Sequence, residues 1–343
     1  MKHLLNTLYI TSNGTYLARE GETVLIRQEK ETKLRIPIHT LSSIICFGQV
    51  SCSPPLLGLC GIRNVSVSFF TEQGRFLARV QGPVSGNVLL RREQYRRADD
   101  ETESAGIARS VVVGKICNSR TALLRAAREH NDFISSEALS IASVELSRHL
   151  QLLSSLLPID SIRGIEGNAA RKYFGVFDHL ILAQKDSFFF TERTRRPPMD
   201  PMNALLSFLY TLLVHDVASA LEGVGLDPAV GFLHRDRPGR PSLALDLMEE
   251  LRPMLADRVA LTLVNRQQIQ GKQFAVTETG AVIMDDFARK EVLTAWQKKK
   301  QEEITHPFIG EKIAIGLIPH VQAMLLARFF RRDLDAYPPF RWK

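Results

Sequence analysis

The sequence predicts an α+β protein in which a β-rich front end precedes a larger, all-helical remainder. Three patterns predict it. Short apolar runs punctuated by turns recur at roughly ten-residue intervals up to Val80, a charged stretch interrupts them at residues 91–101, and apolar residues fall at helical spacing from Ile107 onward. At 343 residues the chain is too long for one compact core and comfortable for two. We therefore expect a β-sandwich-like domain over residues 1–94, a linker over 95–106 and a helical domain over 107–343.

Residues 4–9 and 16–17 flank Asn13-Gly14, the strongest short hairpin signal. A second turn at Glu20-Gly21-Glu22 leads into residues 23–26, and 34–38 follow. Residues 56–60 fit one helix inserted among the strands. Val65, Val67 and Phe69 alternate with serines, and Gly74 turns the chain into residues 76–80. The run from Arg91 to Glu101 has the composition of a surface linker, with 99–104 expected to be partly mobile. Helical periodicity then runs through 107–127, 136–153, 168–182, 201–221, 243–251, 287–303 and 319–330. Residues 273–276 and 281–284, joined across Thr279-Gly280, form one hairpin in this half.

Composition excludes several classes. Forty-four Lys plus Arg against 37 Asp plus Glu leave a net charge of +7, a tilt toward phosphate-bearing partners. The amino terminus lacks the apolar core and cleavage site of a signal peptide. The most apolar run, residues 204–214, falls short of the roughly 20 residues that span a bilayer, so it reads as a core helix and no membrane partner is expected. Cys46, Cys52, Cys60 and Cys117 form no C-x-x-C pair and group with no histidine, which predicts reduced thiols and a cytoplasmic location. No Walker loop, dinucleotide fingerprint, H-E-x-x-H or nucleophile elbow occurs.

Polar residues stand out where a purely structural helix does not need them. Glu166 lies between Gly164 and Gly167 and before Ala169-Ala170, a segment whose backbone can approach another element closely. An acid at a helix start, favoured by the dipole, is the plainer account of it. His234 closes the apolar Gly231-Phe232-Leu233 beside the basic loop 235–241, where a capping or core histidine is the plainer account. In the segment from Ser242, a plausible N-cap, to Pro253, a plausible stop, Asp246 and Glu249 share one helix face. An acid on a face otherwise made of Leu243, Leu247 and Leu251 is costly to bury unless a cation meets it, either an arginine or a divalent ion. Glu166, His234 and Glu249 together offer two carboxylates and one imidazole, a set suited to manganese or magnesium; spacing leaves open whether they meet. Arg195-Arg196, Lys298-Lys299-Lys300, Arg328 with Arg331-Arg332, and the tail Arg341-Trp342-Lys343 suggest a phosphate track with Tyr173, Tyr210 and Trp296 among them. His215, on the apolar helix from Pro201, reads as a core histidine.

Blocks of sequence also recur in a known order: Phe47-Gly48, Gly61-Ile62, Phe69-Phe70, residues 74–79, and Arg91 with Gln94-Tyr95. Residues 114–120 follow, then Glu166-Gly167 with Ala170-Arg171 and Tyr173-Phe174, Arg195-Arg196-Pro197-Pro198 with Asp200 and residues 203–206, residues 231–234, and residues 245–250 with Arg252-Pro253. Over nearly its whole length the chain resembles the CRISPR-associated Cas-one family, the integrase and DNA endonuclease of spacer acquisition, with an overall similarity to its type I-C branch. The resemblance implies a metal site of Glu166, His234 and Glu249 with Asp246 beside it; some relatives carry Asp at the position of Glu249. It implies a homodimer formed through the sandwich, and two such dimers flanking a dimer of a small partner, Cas-two. The assembly would hold a short duplex prespacer and join its 3′-hydroxyl ends into the CRISPR repeat by transesterification, or nick DNA when water attacks. Arg171 and Arg252 are candidates to clamp phosphate or to pair with the acids. The competing readings are a non-catalytic DNA-binding scaffold and a helical interaction protein with an ordinary basic surface.

Overall fold

A computed structural model describes residues 6–80, 82, 88–129 and 132–342. Leu4 and Leu5 of the first expected strand, and Lys343 of the basic tail, lie outside the described residues. Asn13-Gly14 does turn the chain, but not into a hairpin. β1 (Asn6–Ile10) and β2 (Thr15–Glu20) lie in different sheets. β3 (Thr23–Gln28) and β4 (Glu31–Pro37) continue antiparallel from β2, whereas β5 (Leu41–Phe47) runs parallel to β1. The chain then crosses back to β6 (Val50–Cys52), parallel to β2. The two crossings are tied together: Gln49 N–H donates to Asn13 Oδ1 at 2.8 Å, and Gly14 N–H to the Gln49 carbonyl at 2.9 Å. A turn signal specifies a reversal only; burial of Leu17 and Val24 against Ile44 and Cys46 selects the partner strand.

α1 (Pro54–Ile62), N-capped by Ser53, packs Leu56 and Leu59 into that inter-sheet core. β7 (Ser66–Phe70) and β8 (Phe76–Val80) complete the first sheet in the order β1-β5-β7-β8; the second runs β4-β3-β2-β6. The first sheet is covered on both faces, since Ile45, Phe47 and Phe70 point away from the sandwich into the helical core. The four cysteines are unpaired.

The expected linker is helical. α2 (Val88–Asp99) is followed, after Asp100 alone, by α3 (Glu101–Glu129), with Asp100 Oδ1 accepting from the N–H groups of Thr102 and Glu103 at 2.9 Å. One of its charges is buried: Arg97 pairs with Glu93 and Glu103 and stacks over Phe329, and buried Gln94 bonds the 227–230 backbone. Composition registers charge but not the partner that lets it be buried. α4 (Phe133–Leu152) and α5 (Ile159–Gly175) lean on α3, and α5 begins nine residues before its expected start.

α6 (Pro201–Val224), capped by Asp200 and ended by Gly225 at φ 89°, is the core's central helix. Among the described residues it alone is long and apolar enough to cross a membrane, yet Leu205, Leu206, Leu209, Leu212 and Leu213 are at most 1% exposed to solvent. α7 (Ser242–Glu249) leads through a π-helical turn at Arg252–Ala256 into α8 (Asp257–Asn265). Pro253 therefore does not stop the helical path: the Asp257 N–H reaches back five residues to the Arg252 carbonyl. Ser242 is not the cap either; it is the first helical residue and its hydroxyl donates to the Arg235 carbonyl. The expected hairpin is β9 (Phe274–Val276) with β10 (Val282–Met284). After α9 (Asp286–Gln301), an unforeseen pair, β11 (Glu303–Thr305) and β12 (Lys312–Ala314), precedes α10 (Ile318–Phe330).

Candidate functional site

The loop before α7 is drawn tight against that helix. Gly231 crosses so closely that a Cβ there would sit 2.8 Å from Ser242 Cβ and 2.9 Å from Asp246 Oδ2, so only glycine fits. This crossing aims three successive N–H groups, of Phe232, Leu233 and His234, at the Asp246 carboxylate at 2.6, 3.0 and 2.9 Å. His234 Nδ1 lies 2.6 Å from the same Oδ1. Asp246 is fully buried, and its oxygens are consumed by these four donors. It is a positioning residue: it fixes Nδ1 of His234 as the protonated nitrogen and leaves Nε2 with its lone pair free to bind.

His234 Nε2 lies 3.9 Å from Glu249 Oε1. Glu249, one turn after Asp246, is 2% exposed. Arg252 Nη1 meets its Oε1 at 2.7 Å, and Lys115 Nζ, from α3, stands 2.8 Å from its Oε2. Oε2 nonetheless lacks a well-directed hydrogen-bond donor. Burial opposes the charge on Glu249, but Arg252, then Lys115, outweigh it and hold the carboxyl well below its usual range. Lys115 also pairs with Glu166 Oε1, so one ammonium links α3, α5 and α7. Burial disfavours its charge, yet Glu249 and Glu166 keep its pKa raised.

Glu166 sits two turns inside α5 rather than at its start, which removes the dipole account. Gly164 and Gly167 meet nothing within 4 Å, so they mark open space beside Glu166 and not the close approach expected of them. Glu166 and His234 line one cleft of about 420 Å³, walled also by Asp160, Leu233, Arg163, Arg235, Arg237 and Arg240. Burial lowers the pKa of Arg240, and the like charges of Arg237, Arg196 and Arg195 add to this. Behind Glu249, buried Asp257 accepts from Tyr210 at 2.6 Å and Tyr173 at 3.0 Å, and burial pushes its carboxyl up to about 6. Arg252 lies 4.7 Å over the Tyr210 ring.

The structure thus brings Glu166, His234, Asp246 and Glu249 together. It redistributes the basic candidates. Arg171 is exposed and bonds Asn168; Arg195, Arg196 and Lys298 are exposed. Arg252 is the arginine partner of the buried acid and not a surface phosphate contact. Lys299 pairs with Glu302, and Lys300 is buried against Asp216 at 2.8 Å, so the lysine run is not one solvated track. No sequence pattern singles out Arg163, Arg235, Arg237, Arg240 or Asp257 as a site residue, and Lys115 falls only within the block 114–120. The turn-rich basic loop 235–241 beside His234 was the available signal for the arginine wall.

Two carboxylates, an imidazole whose second nitrogen is held by a carboxylate, and an acid oxygen with no aligned donor fit a hard divalent cation. Among the described residues, no three such donors are gathered tightly enough to hold a metal ion as they stand.

A sandwich fused to a helical body in this order is a known fold. The same fold occurs in a casposase bound to integration product (TM-score 0.83, 20% identity, 99% of this chain and 95% of that one). It occurs again in a Cas6-RT-Cas1–Cas2 complex (TM-score 0.81, 22% identity), where this chain covers 36% of a longer chain. The chain belongs to the CRISPR associated protein Cas1 family, whose model matches residues 8–298. It is 56% identical, over the full length of both chains, to CRISPR-associated endonuclease Cas1 1 of Chlorobaculum tepidum. It is 51% identical, again over all of both, to CRISPR-associated endonuclease Cas1 2 of Rhodospirillum rubrum.

Proposed function

We propose that the chain is a divalent-metal-dependent DNA integrase and endonuclease of CRISPR adaptation, with Glu166, His234 and Glu249 as metal ligands. The observation that carries this reading is the hold of Asp246 on His234, which leaves Nε2 facing Glu249 beside an arginine-walled cleft. Full-length similarity to proteins named endonucleases supports the reaction class. When bound there, magnesium or manganese supplies charge neutralisation at a scissile phosphate and orients the attacking oxygen.

The chain's own residues do the rest. Asp246 holds the imidazole in its ligating tautomer. Arg252 fixes the plane of the Glu249 carboxylate, and the Asp257–Tyr210 pair supports Arg252 in turn. Arg163, Arg235, Arg237 and Arg240 bind backbone phosphates on either side of the reacting one. In integration the attacking group is the 3′-hydroxyl of a short duplex: its oxygen forms a P–O bond, the bond from phosphorus to the target strand's own 3′-oxygen breaks, and the proton given up by the attacker is balanced, through water, by the one the leaving 3′-oxygen takes up. Water attacking the same phosphorus gives a nick.

Partners follow from the same reading. A second copy docks through the sandwich, and a small Cas2 dimer joins two such pairs; the likeness to a chain in a Cas1–Cas2 complex supports the latter. The test combines the protein, its candidate Cas2, a short duplex and a supercoiled repeat-bearing plasmid with manganese. Joining that needs the 3′-hydroxyl and is lost in His234→Ala is the expected result. Equal joining by both proteins rejects the metal site, and salt-sensitive binding without joining by either favours the scaffold.

A further inference from the structure

Lys115 touches both acids of the candidate metal site with one ammonium group. It reaches from α3 to Glu166 on α5 and to Glu249 on α7, with 10% of its side chain exposed. The two carboxylates carry two negative charges, and Lys115 with Arg252 carries two positive ones, so these four groups balance before any ion enters. The oxygens are divided unequally. Arg252 engages Glu249 Oε1, while Oε2 faces Lys115 without a well-aligned donor. An ion held by both glutamates would lie between their carboxylates, and that space is taken by the ammonium, which pairs with Glu166 Oε1 on one side and stands 2.8 Å from Glu249 Oε2 on the other.

We infer that Lys115 is a resident counter-cation that competes with the metal for Glu166 and Glu249, so that metal entry requires its ammonium to withdraw. The inference rests on the reading of Glu166, His234 and Glu249 as ligands. A lysine suits the task because a compact charge on a flexible four-carbon stem can leave without disturbing the helix that carries it. Exchange of the ammonium for a divalent ion adds one positive charge to the cluster, which an incoming phosphodiester neutralises. Metal and DNA therefore bind cooperatively, and the protein alone holds metal weakly. Lys115 is a positioning residue, acting on the metal through the ligands it holds.

Manganese binding to the full-length protein, followed by the paramagnetic resonance signal of free Mn²⁺, tests this directly. Lys115→Met should bind Mn²⁺ at least tenfold more tightly than wild type, and Lys115→Arg no more tightly. Glu166→Gln and Glu249→Gln should bind it more weakly. Unchanged or weaker binding by Lys115→Met, with both glutamine variants weakened, overturns the competition while the ligand assignment stands. Should neither glutamine variant alter binding, the ligand assignment falls and the inference with it. Wild type provides a readout that needs no folded variant: saturating Mn²⁺ should raise acylation of Lys115 by a water-soluble succinimidyl ester severalfold, scored by peptide mass spectrometry. Unchanged acylation overturns the proposal.

Discussion

Asp246 Oδ1 accepts both from the His234 ring, at 2.6 Å, and from the His234 backbone N–H, at 2.9 Å. One buried oxygen thereby sets the residue's main chain and its tautomer together. Asparagine has a single acceptor oxygen, so in Asp246→Asn an amide NH₂ is turned toward N–H donors. Asp246→Asn should lose 10- to 100-fold in Mn²⁺ affinity and strand joining and about 2 kcal/mol of stability. Wild-type affinity in a folded Asp246→Asn protein, by the same manganese titration, removes Asp246 from the site.

Arg252 next to Glu249 answers how an acid can lie on a leucine face. Removing the guanidinium leaves Glu249 buried with Lys115 as its remaining close ion-pair partner. Arg252→Ala should cost roughly 3 kcal/mol in denaturant unfolding. The salt dependence of its DNA binding should stay as in wild type, because this arginine faces an acid and not solvent. A shallower salt slope contradicts that placement.

These two predictions mark the boundary of what the sequence makes legible. Asp246 and Glu249 are three apart, and helical spacing places both on one face without further information. The α+β order, the inserted helix α1 and the β9–β10 hairpin are legible for the same reason: each is a local pattern. The partner of a charged residue is not local. Lys115 lies 51 positions from Glu166 and 134 from Glu249, so its role depends on how three helices pack. The charged run around Gln94 and Arg97 misleads in the same way, and so does Asn13-Gly14, where a reversal is encoded but the strand that receives it is not.

Burial separates the basic residues that touch solvent from those that do not. Lys300 is buried against Asp216, whereas Arg237 is exposed on the wall of the cleft. In a DNA-binding titration against salt, Arg237→Ala should reduce the slope by about one. Lys300→Met should lower the melting temperature and leave the slope alone. The reverse pattern places the phosphate track on α9.

His215 is wedged between the rings of Phe70 and Phe76, each centroid 4.8 Å away, where the sandwich meets α6. Burial, with a smaller contribution from Arg79, lowers its pKa to about 4, so the folded protein holds it neutral. The unfolded chain takes up the proton near pH 6.5. Stability is therefore fully present above pH 6.5 and falls between there and pH 4, by at most about 3 kcal/mol. His215→Leu should flatten that part of the stability–pH curve. An unchanged acid slope means another group carries it.

Glu250 carries the opposite sign, and its environment explains why. Its carboxylate accepts from the Tyr337 hydroxyl at 2.8 Å, the Phe340 N–H at 2.7 Å and Gln322 Nε2 at 3.0 Å, all neutral donors, with no cation among them. Asn118 fastens the same tail by donating to the Glu250 and Phe340 carbonyls, and Trp342 lies against the guanidinium groups of Arg125 and Arg258. Gly114 lets the three elements converge, since a Cβ there would sit 3.0 Å from both Glu250 and Pro339. Burial outweighs the three hydrogen bonds and pushes the carboxyl up to about 8, so the folded chain keeps the proton that the unfolded chain releases near pH 4.5. This contribution is complete below pH 4.5 and is lost as pH rises toward 8. Glu250→Gln, which imitates the neutral acid, should cost less than about 1 kcal/mol at pH 6 and gain on wild type from pH 6 to pH 8 in urea unfolding. A variant that loses ground over that range means the tail is held by a charged Glu250.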